Sequence, residues 1–509
     1  MFWNYFALAV YFLIMIGITV YTKNRSKSVN DFLLAGKKGL NGWMSAFAYG
    51  TTYFSAVIFI GYAGKFGGAY QLAAVWIGIG NAVIGSLFAW MVLAKRTKNM
   101  TTRLSAKTMP EFFEKRFASR SLKLCSAVII FIFLIPYSAS VYNGLSNLFE
   151  TIFSIPGWAV MVALAGITAL YLFFGGYFAT ALSDFIQGII MIIGVVLMFI
   201  FFMNSKQVSW NISTLNWFTH DTSGKLLYGD TISLIALILL TSFGVWALPQ
   251  TVHKYYAIRD KKAINQGMIV STAFALIIGF CAYFFGGLSP LFKTELAGNS
   301  NPDNIIPIML SLVIPAGVMG IVAVLILSAS MSTLSSVSLA SASVVAIDIY
   351  KGKINQKASD KKVNVLMKVL CLVFIAISVV LAVLNAEFNI AAIAYMMGLS
   401  WGTLAGCFIG PFVLGVLWKK VTKPAVWTSI IGSLVLTVVL IIVLGYDKLE
   451  WSCGFGAAIQ SGISSSPLIG VICMAYSMLV TFIVSLFTKK PSEQVVENAF
   501  NKKIENEIV

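Results

Sequence analysis

Nine consecutive residues inside one long apolar stretch carry an unusual density of oxygen: Ser328-Ala-Ser-Met-Ser-Thr-Leu-Ser-Ser336. Ser332, Ser335 and Ser336 stand at i, i+3 and i+4, so a helix places them on one face. Ala329 lies one turn earlier on that face, with Thr333 beside it. A hard monovalent cation wants about five or six oxygen ligands, a preference hard cations share. Hydroxyls and free carbonyls supply them without a full charge. The same small residues also let helices pack closely, so spacing alone leaves both readings open. Asp184 stands out as an ionisable residue one turn inside another apolar stretch. A carboxylate at the centre of a membrane helix costs roughly 2.5–3.5 kcal/mol on insertion scales, less near an end. Such a residue is retained for a partner or an ion, or serves as a cap at the interface. No nucleophile–base pair and no phosphate loop is visible, so an enzyme is not expected. The cysteines Cys125, Cys281, Cys371, Cys407, Cys453 and Cys473 have no metal-type spacing and read as small core fillers. His220 and His253 are too few and too peripheral for a histidine metal site.

The elements that must carry these groups are membrane helices. Of the 509 residues, 59% are apolar and only 11% charged, where a soluble chain carries about 25% charged residues. Long apolar runs predict about 13 spans. The second covers 42–64, the sixth 180–203, the seventh 230–252 and the ninth 314–348. Phe2 to Tyr21 lacks a basic leader and reads as a retained span. The net charge of +17 does not indicate nucleic acid, because the basic residues fall in short loops. With the N-terminus outside, only Lys65, Lys206, Lys225, Lys293 and Lys448 of 36 lysines and arginines fall outside. That asymmetry orients the chain with its C-terminus cytoplasmic. The counting places Lys254 in an inner loop. Met109 to Phe117 is expected as an amphipathic helix at the inner surface, and 304–312 as a lateral outer helix.

Two spans look broken. The second reads Ala48-Tyr-Gly-Thr-Thr-Tyr-Phe-Ser-Ala56, and the seventh Ser242-Phe-Gly-Val-Trp-Ala-Leu-Pro-Gln-Thr251. Glycine tolerates non-helical torsions and Pro249 lacks a donor. Carbonyls released at mid-membrane depth need a cation or polar solute. Broken spans at matching places in two halves point to an inverted-repeat transporter. The bland alternative is that glycine and proline are common in membrane helices.

The chain resembles the sodium/solute symporter family, whose members include bacterial proline, pantothenate, sugar and sialic acid transporters. The resemblance rests on Asp31-Phe-Leu-Leu-Ala-Gly36, Thr108-Met-Pro-Glu-Phe-Phe-Glu-Lys-Arg-Phe117, Gly175-Gly176 with Ser183-Asp-Phe-Ile-Gln187, and Ala329 to Ser336 leading into Asp348-Ile-Tyr-Lys351. It implies an all-α membrane protein with a LeuT-like 5+5 inverted repeat. The expected division is an extra span and inner loop at 1–41, a ten-span core at 42–417 (repeats 42–203 and 230–417), two spans at 418–488, and a cytoplasmic tail at 489–509. It implies Na+ bound by the carbonyls of Thr51, Phe54 and Ala329 and the hydroxyls of Ser332 and Thr333. In sialic-acid-type members a second sodium uses a cluster whose counterparts here are Asp184, Ser332, Ser335 and Ser336.

The solute residues transfer less directly. Sugar-gripping side chains of the family fall here on Ile58, Ile77 and Leu276, and the arginine of sialic-acid-type members falls near Tyr137. Tyr137-Ser-Ala-Ser140 with Leu148-Phe-Glu150 looks like proline-type members; Gly244-Val-Trp-Ala-Leu-Pro249 looks like pantothenate-type members. The expected cargo is a small carboxylate or amino acid, with a sugar or sialic acid as the alternative. Pocket candidates are Ser55, Trp76, Tyr137, Ser140, Trp246 and Gln250, the two tryptophans being open also to a plain core role. The expectation is a monomeric plasma-membrane symporter. A transporter-like sensor is the rival from another class, and the short polar tail after Phe487 offers it no signalling domain.

Overall fold

The computed structural model describes residues 2–23, 28–36, 39–218, 228–449 and 454–500. Arg25, Lys27, Lys37, Lys38, His220, Lys225, Cys453, Lys502 and Lys503, all used in the charge and residue counts above, lie outside the described residues. Among the described residues, eleven helices are long and apolar enough to cross a membrane. Two of these hold two expected spans each. Val57–Arg103 contains the second half of span two and all of span three, turning at Gln71, which has φ 55 and ψ −138. Gly157–Met203 contains spans five and six, broken at Gly176 with φ 62 and ψ −164. That conformation is essentially open to glycine alone, which explains the Gly175-Gly176 pair. Divided at these turns, the helices match the expected count of about 13.

Span nine, Ala316–Ser343, is the centre of the bundle: every residue from Val322 to Ser343 is buried. Span one, Phe2–Thr22, lies at the rim and exposes Phe2, Trp3, Leu13 and Ile16. The hydroxyl-rich face therefore sits in protein, and the rim exposes aliphatic and aromatic side chains, as a bilayer that offers polar groups no hydrogen bonds requires.

Span two runs as a helix over Gly42–Tyr53 and resumes at Val57–Tyr62 and Ala63–Tyr70. Phe54 between them is extended, with φ −107 and ψ 113. Span seven runs over Tyr228–Gly244 and resumes at Pro249–Tyr256, with Pro249 in the first turn. Both expected breaks are present. A short helix, Ile305–Val313, occupies the expected outer stretch.

Met109–Phe117 is helical, capped by the Thr108 side chain on the Glu111 N–H. Its Phe112, Phe113, Arg116 and Phe117 are buried against the rest of the protein. Thr108 Oγ1 donates to both Asp348 carboxylate oxygens, at 3.0 and 2.8 Å. Lys123 Nζ lies 2.8 Å from Glu114 and 3.8 Å from Asp348. Arg116 donates to the carbonyls of Gly415 and Trp418, each at 3.0 Å. Burial pushes its guanidinium down to about 10. Two sequence motifs, with Thr108 and Asp348 240 residues apart, thus meet and tie spans four, nine and eleven together.

Candidate functional site

The break in span two has a local cause. Thr51 Oγ1 donates to the Phe47 carbonyl and Thr52 Oγ1 to the Ala48 carbonyl, both at 2.7 Å. Such back-bonding competes with the ladder and bends helices. Gly50 permits the close approach of span eight: a Cβ there would meet Phe274 at 2.5 Å. Beyond Phe54, the N–H groups of Ile58 and Phe59 turn to the Ser55 carbonyl, at 3.0 and 3.4 Å. The Phe54 carbonyl thereby loses its helical partner, Ile58. Ser55 Oγ accepts from Val57 N–H at 3.3 Å, and Ser330 of span nine accepts from Ala56 N–H at 3.2 Å.

Span nine closes on the other side. Ser332 Oγ lies 2.9 Å from the Thr51 carbonyl and 3.0 Å from that of Ala329. Thr333 Oγ1 lies 3.1 Å from the Ala329 carbonyl, 3.4 Å from that of Thr52 and 3.5 Å from that of Thr51. A hard cation of sodium's size holds oxygens at about 2.3–2.6 Å, so neighbouring ligands in its shell stand roughly 3.4 Å apart. The separations here are within a few tenths of an ångström of that. The structure brings Thr51, Ala329, Ser332 and Thr333 together, with Phe54 at the break beside them. Among the described residues no group of three or more His, Cys, Asp or Glu could hold a metal ion; the oxygens are carbonyls and hydroxyls.

The Asp184 cluster has a member that the sequence reading placed elsewhere. Lys254 belongs to the helix Pro249–Tyr256, not to an inner loop, and its side chain is 1% exposed. Its Nζ lies 2.8 Å from Ser336 Oγ and 3.5 Å from Asp184 Oδ2. Ser336 Oγ lies 3.0 Å from Thr52 Oγ1, and Ser335 Oγ donates to the Ser332 carbonyl at 2.9 Å. The counting missed Lys254 because the helix after the break runs past the expected end of span seven.

Of the pocket candidates, Tyr137 is fully buried and its hydroxyl faces Ser55 and Thr333. That hydroxyl has no hydrogen-bond partner among the described residues. Ser140 is buried one turn along and donates to the Tyr137 carbonyl at 2.7 Å. Trp246 sits in the break of span seven with Nε1 donating to the Ile84 carbonyl at 3.0 Å. Gln250 is buried in the next turn, its Oε1 unpartnered among the described residues. Trp76 stands apart. It is 41% exposed, donates to the Trp217 carbonyl of the loop after span six and lies 6.1 Å from Phe218. Its element begins after the Gln71 turn at one end of the bundle, so nearness in sequence to span two does not carry it to the break. Leu276 is 45% exposed on the outside of the bundle, whereas Ile58 and Ile77 are buried.

Trp401 of span eleven, Ile393–Ile409, was not anticipated. Its ring lies 5.6 Å from Tyr137 and 6.0 Å from Tyr53, and its Nε1 has no partner among the described residues. Tyr53 in turn donates to the Thr241 carbonyl at 2.7 Å, joining the two broken spans. The result is an aromatic cluster beside the break, with a phenol hydroxyl, an indole N–H and a serine at hand. Side chains of these kinds suit a small solute with an apolar body and a few polar atoms.

Residues 32–432 match the family described as the sodium:solute symporter family. The osmoregulated proline transporter OpuE of Bacillus subtilis (strain 168) is 28% identical over 495 residues, 96% of this chain and 95% of that protein. A sodium/proline symporter of Haemophilus influenzae is 27% identical, covering 98% of this chain and 96% of that protein. Among solved structures, a Na+-coupled sialic acid symporter in a substrate-bound outward-open state superposes with a TM-score of 0.74 at 19% identity, over 97% of this chain and 99% of that one.

Proposed function

Because the chain belongs to the sodium:solute symporter family, we propose that it imports proline or a close amphipathic relative, with sodium held by Thr51, Phe54, Ala329, Ser332 and Thr333. It is a multi-pass membrane protein of the LeuT-like fold, and a sodium-coupled symporter of a small solute. The observation that supports the ion site is the meeting of span nine hydroxyls with the Thr51 carbonyl at the break, at 2.9 and 3.5 Å.

In this reading sodium fixes the kinked segment and so completes the solute chamber. Bound sodium draws the Thr51 and Ala329 carbonyls and the two hydroxyls into one shell. The neighbouring Ser55, with Tyr137 and Trp401, then stands ready for the solute's polar atoms, and the aromatic rings cover its apolar body. Ser140, Trp246 and Gln250 support the wall. Rocking of the broken spans against the rest would open the site inward. Each sodium entering across 100 mV contributes about 2.3 kcal/mol to uphill solute movement. The basic-residue asymmetry supports an outside N-terminus and a cytoplasmic C-terminus.

The test is uptake of radiolabelled proline by proteoliposomes containing the purified protein, with pantothenate and sialic acid as competitors. The expected result is sodium-dependent proline uptake that sialic acid leaves unaffected. No proline uptake in sodium, or efficient competition by sialic acid alone, overturns the assignment of the cargo.

A further inference from the structure

The four residues implied for a second sodium do not form an open shell. Ser332 is committed to the Thr51 and Ala329 carbonyls, and Ser335 to the Ser332 carbonyl. Ser336 and Asp184 both face Lys254. An ammonium has three donors, and three partners surround Nζ. They are Ser336 Oγ, Asp184 Oδ2 and the face of Tyr177, whose centroid is 5.1 Å from Nζ. Asp184 is wholly buried, and its Oδ1 has no hydrogen-bond partner among the described residues. Among the described residues the carboxylate therefore has one cation beside it, Lys254.

We propose that the Lys254 ammonium is a tethered cation at the Asp184–Ser336 site, standing where a second sodium would sit, so that the chain binds one sodium ion. A sodium added beside this pair would put two positive charges on one carboxylate in a water-poor site, and burying an unpaired charge is strongly unfavourable. The lysine also links the site to the kink. Its N–H donates to Ser336, the Ser336 hydroxyl donates to Thr52 Oγ1, and Thr52 donates to the Ala48 carbonyl just before the break. Lys254 comes from the inner half of span seven, Asp184 from span six and Ser336 from span nine. The pair thus ties a broken span to its scaffold, and separating them requires the ammonium to leave Asp184.

The proposal rests on the reading that the Thr51–Thr333 site holds sodium, and counting ions separates the two. The probe is radiolabelled sodium alone, bound to purified full-length protein above neutral pH. The wild type is expected to bind one ion per chain, Lys254→Gln two, and Lys254→Gln with Asp184→Asn one. Thr333→Ala is expected to bind its one ion about tenfold more weakly, and Thr333→Ala with Lys254→Gln to bind that weakened ion and the second ion that Lys254→Gln admits. Two ions on the wild type, or no gain in a Lys254→Gln protein that elutes and melts as a folded species, overturns the proposal. No ion on the wild type but a gain on Lys254→Gln would sink the main sodium site and leave the tethered cation standing. If Lys254→Gln fails to fold, the wild-type count decides: one ion supports the proposal and two overturn it.

Discussion

Removing the Thr333 hydroxyl without changing the shape of the side chain isolates one ligand of the proposed shell. Thr333→Val keeps both branches at Cβ and replaces only the oxygen that lies 3.1 Å from the Ala329 carbonyl and 3.5 Å from that of Thr51. A hydrogen bond or ligand contact to a charged group is worth about 1.5–3 kcal/mol. Without the ion the hydroxyl donates to those carbonyls, so binding exchanges one interaction for another and the lower end applies. At about 1.4 kcal/mol per decade, the sodium concentration for half-maximal uptake should rise about tenfold. Ser332→Ala with Thr333→Ala should raise it about 100-fold on the same scale. Thr333→Ser keeps the oxygen and should stay near the wild type. The assay is solute uptake by proteoliposomes as sodium replaces potassium at constant ionic strength. Melting in potassium separates loss of the intrahelical bond from loss of the ligand. A Thr333→Val protein with wild-type folding and an unchanged sodium requirement would refute the site.

Tyr137→Phe removes a buried hydroxyl that bonds to no described residue. The solute concentration for half-maximal uptake should rise about tenfold with the melting temperature nearly unchanged; an unaltered solute affinity would take Tyr137 out of the chamber. Gly176→Ala forces a side chain into φ 62, ψ −164 between spans five and six, at a cost of about 1–3 kcal/mol. It should lower the melting temperature in detergent, and equal stability would mean the kink relaxes freely. Asp348→Ala strips two hydrogen bonds from Thr108 and one charge partner from Lys123. The buried lysine keeps Glu114, so the loss should be about 1–3 kcal/mol. Thermal unfolding reads it, and a neutral result would remove the inner tie.

Sequence pattern carried the breaks because their causes are local. Gly50 with Thr51 and Thr52, and Gly244 with Pro249, disturb the helix wherever they occur. The hydroxyl face of span nine was legible for the same reason: three serines at helical spacing share a side whatever surrounds them. Residues whose roles depend on packing were not. Lys254 is basic and near a span end, so counting charges placed it in a loop. Only the extra helical turns after Pro249 bring it beside Asp184. Trp401 lies among small residues in Ser400-Trp-Gly-Thr403 and has no local signal that it wedges between Tyr53 and Tyr137. Trp76 carried a false one, since an aromatic near a broken span reads as a pocket wall until the turn at Gln71 directs it outward. The Thr108 and Asp348 motifs were each visible, but the contact between them joins distant spans, and one sequence holds no record of it.

Sodium coupling itself is tested most directly by the solute's accumulation ratio. Proteoliposomes loaded with potassium and diluted into sodium should concentrate proline above the external level, and dissipating the sodium gradient with an ionophore should release it. Accumulation of the same height when potassium replaces sodium on both sides would contradict the account.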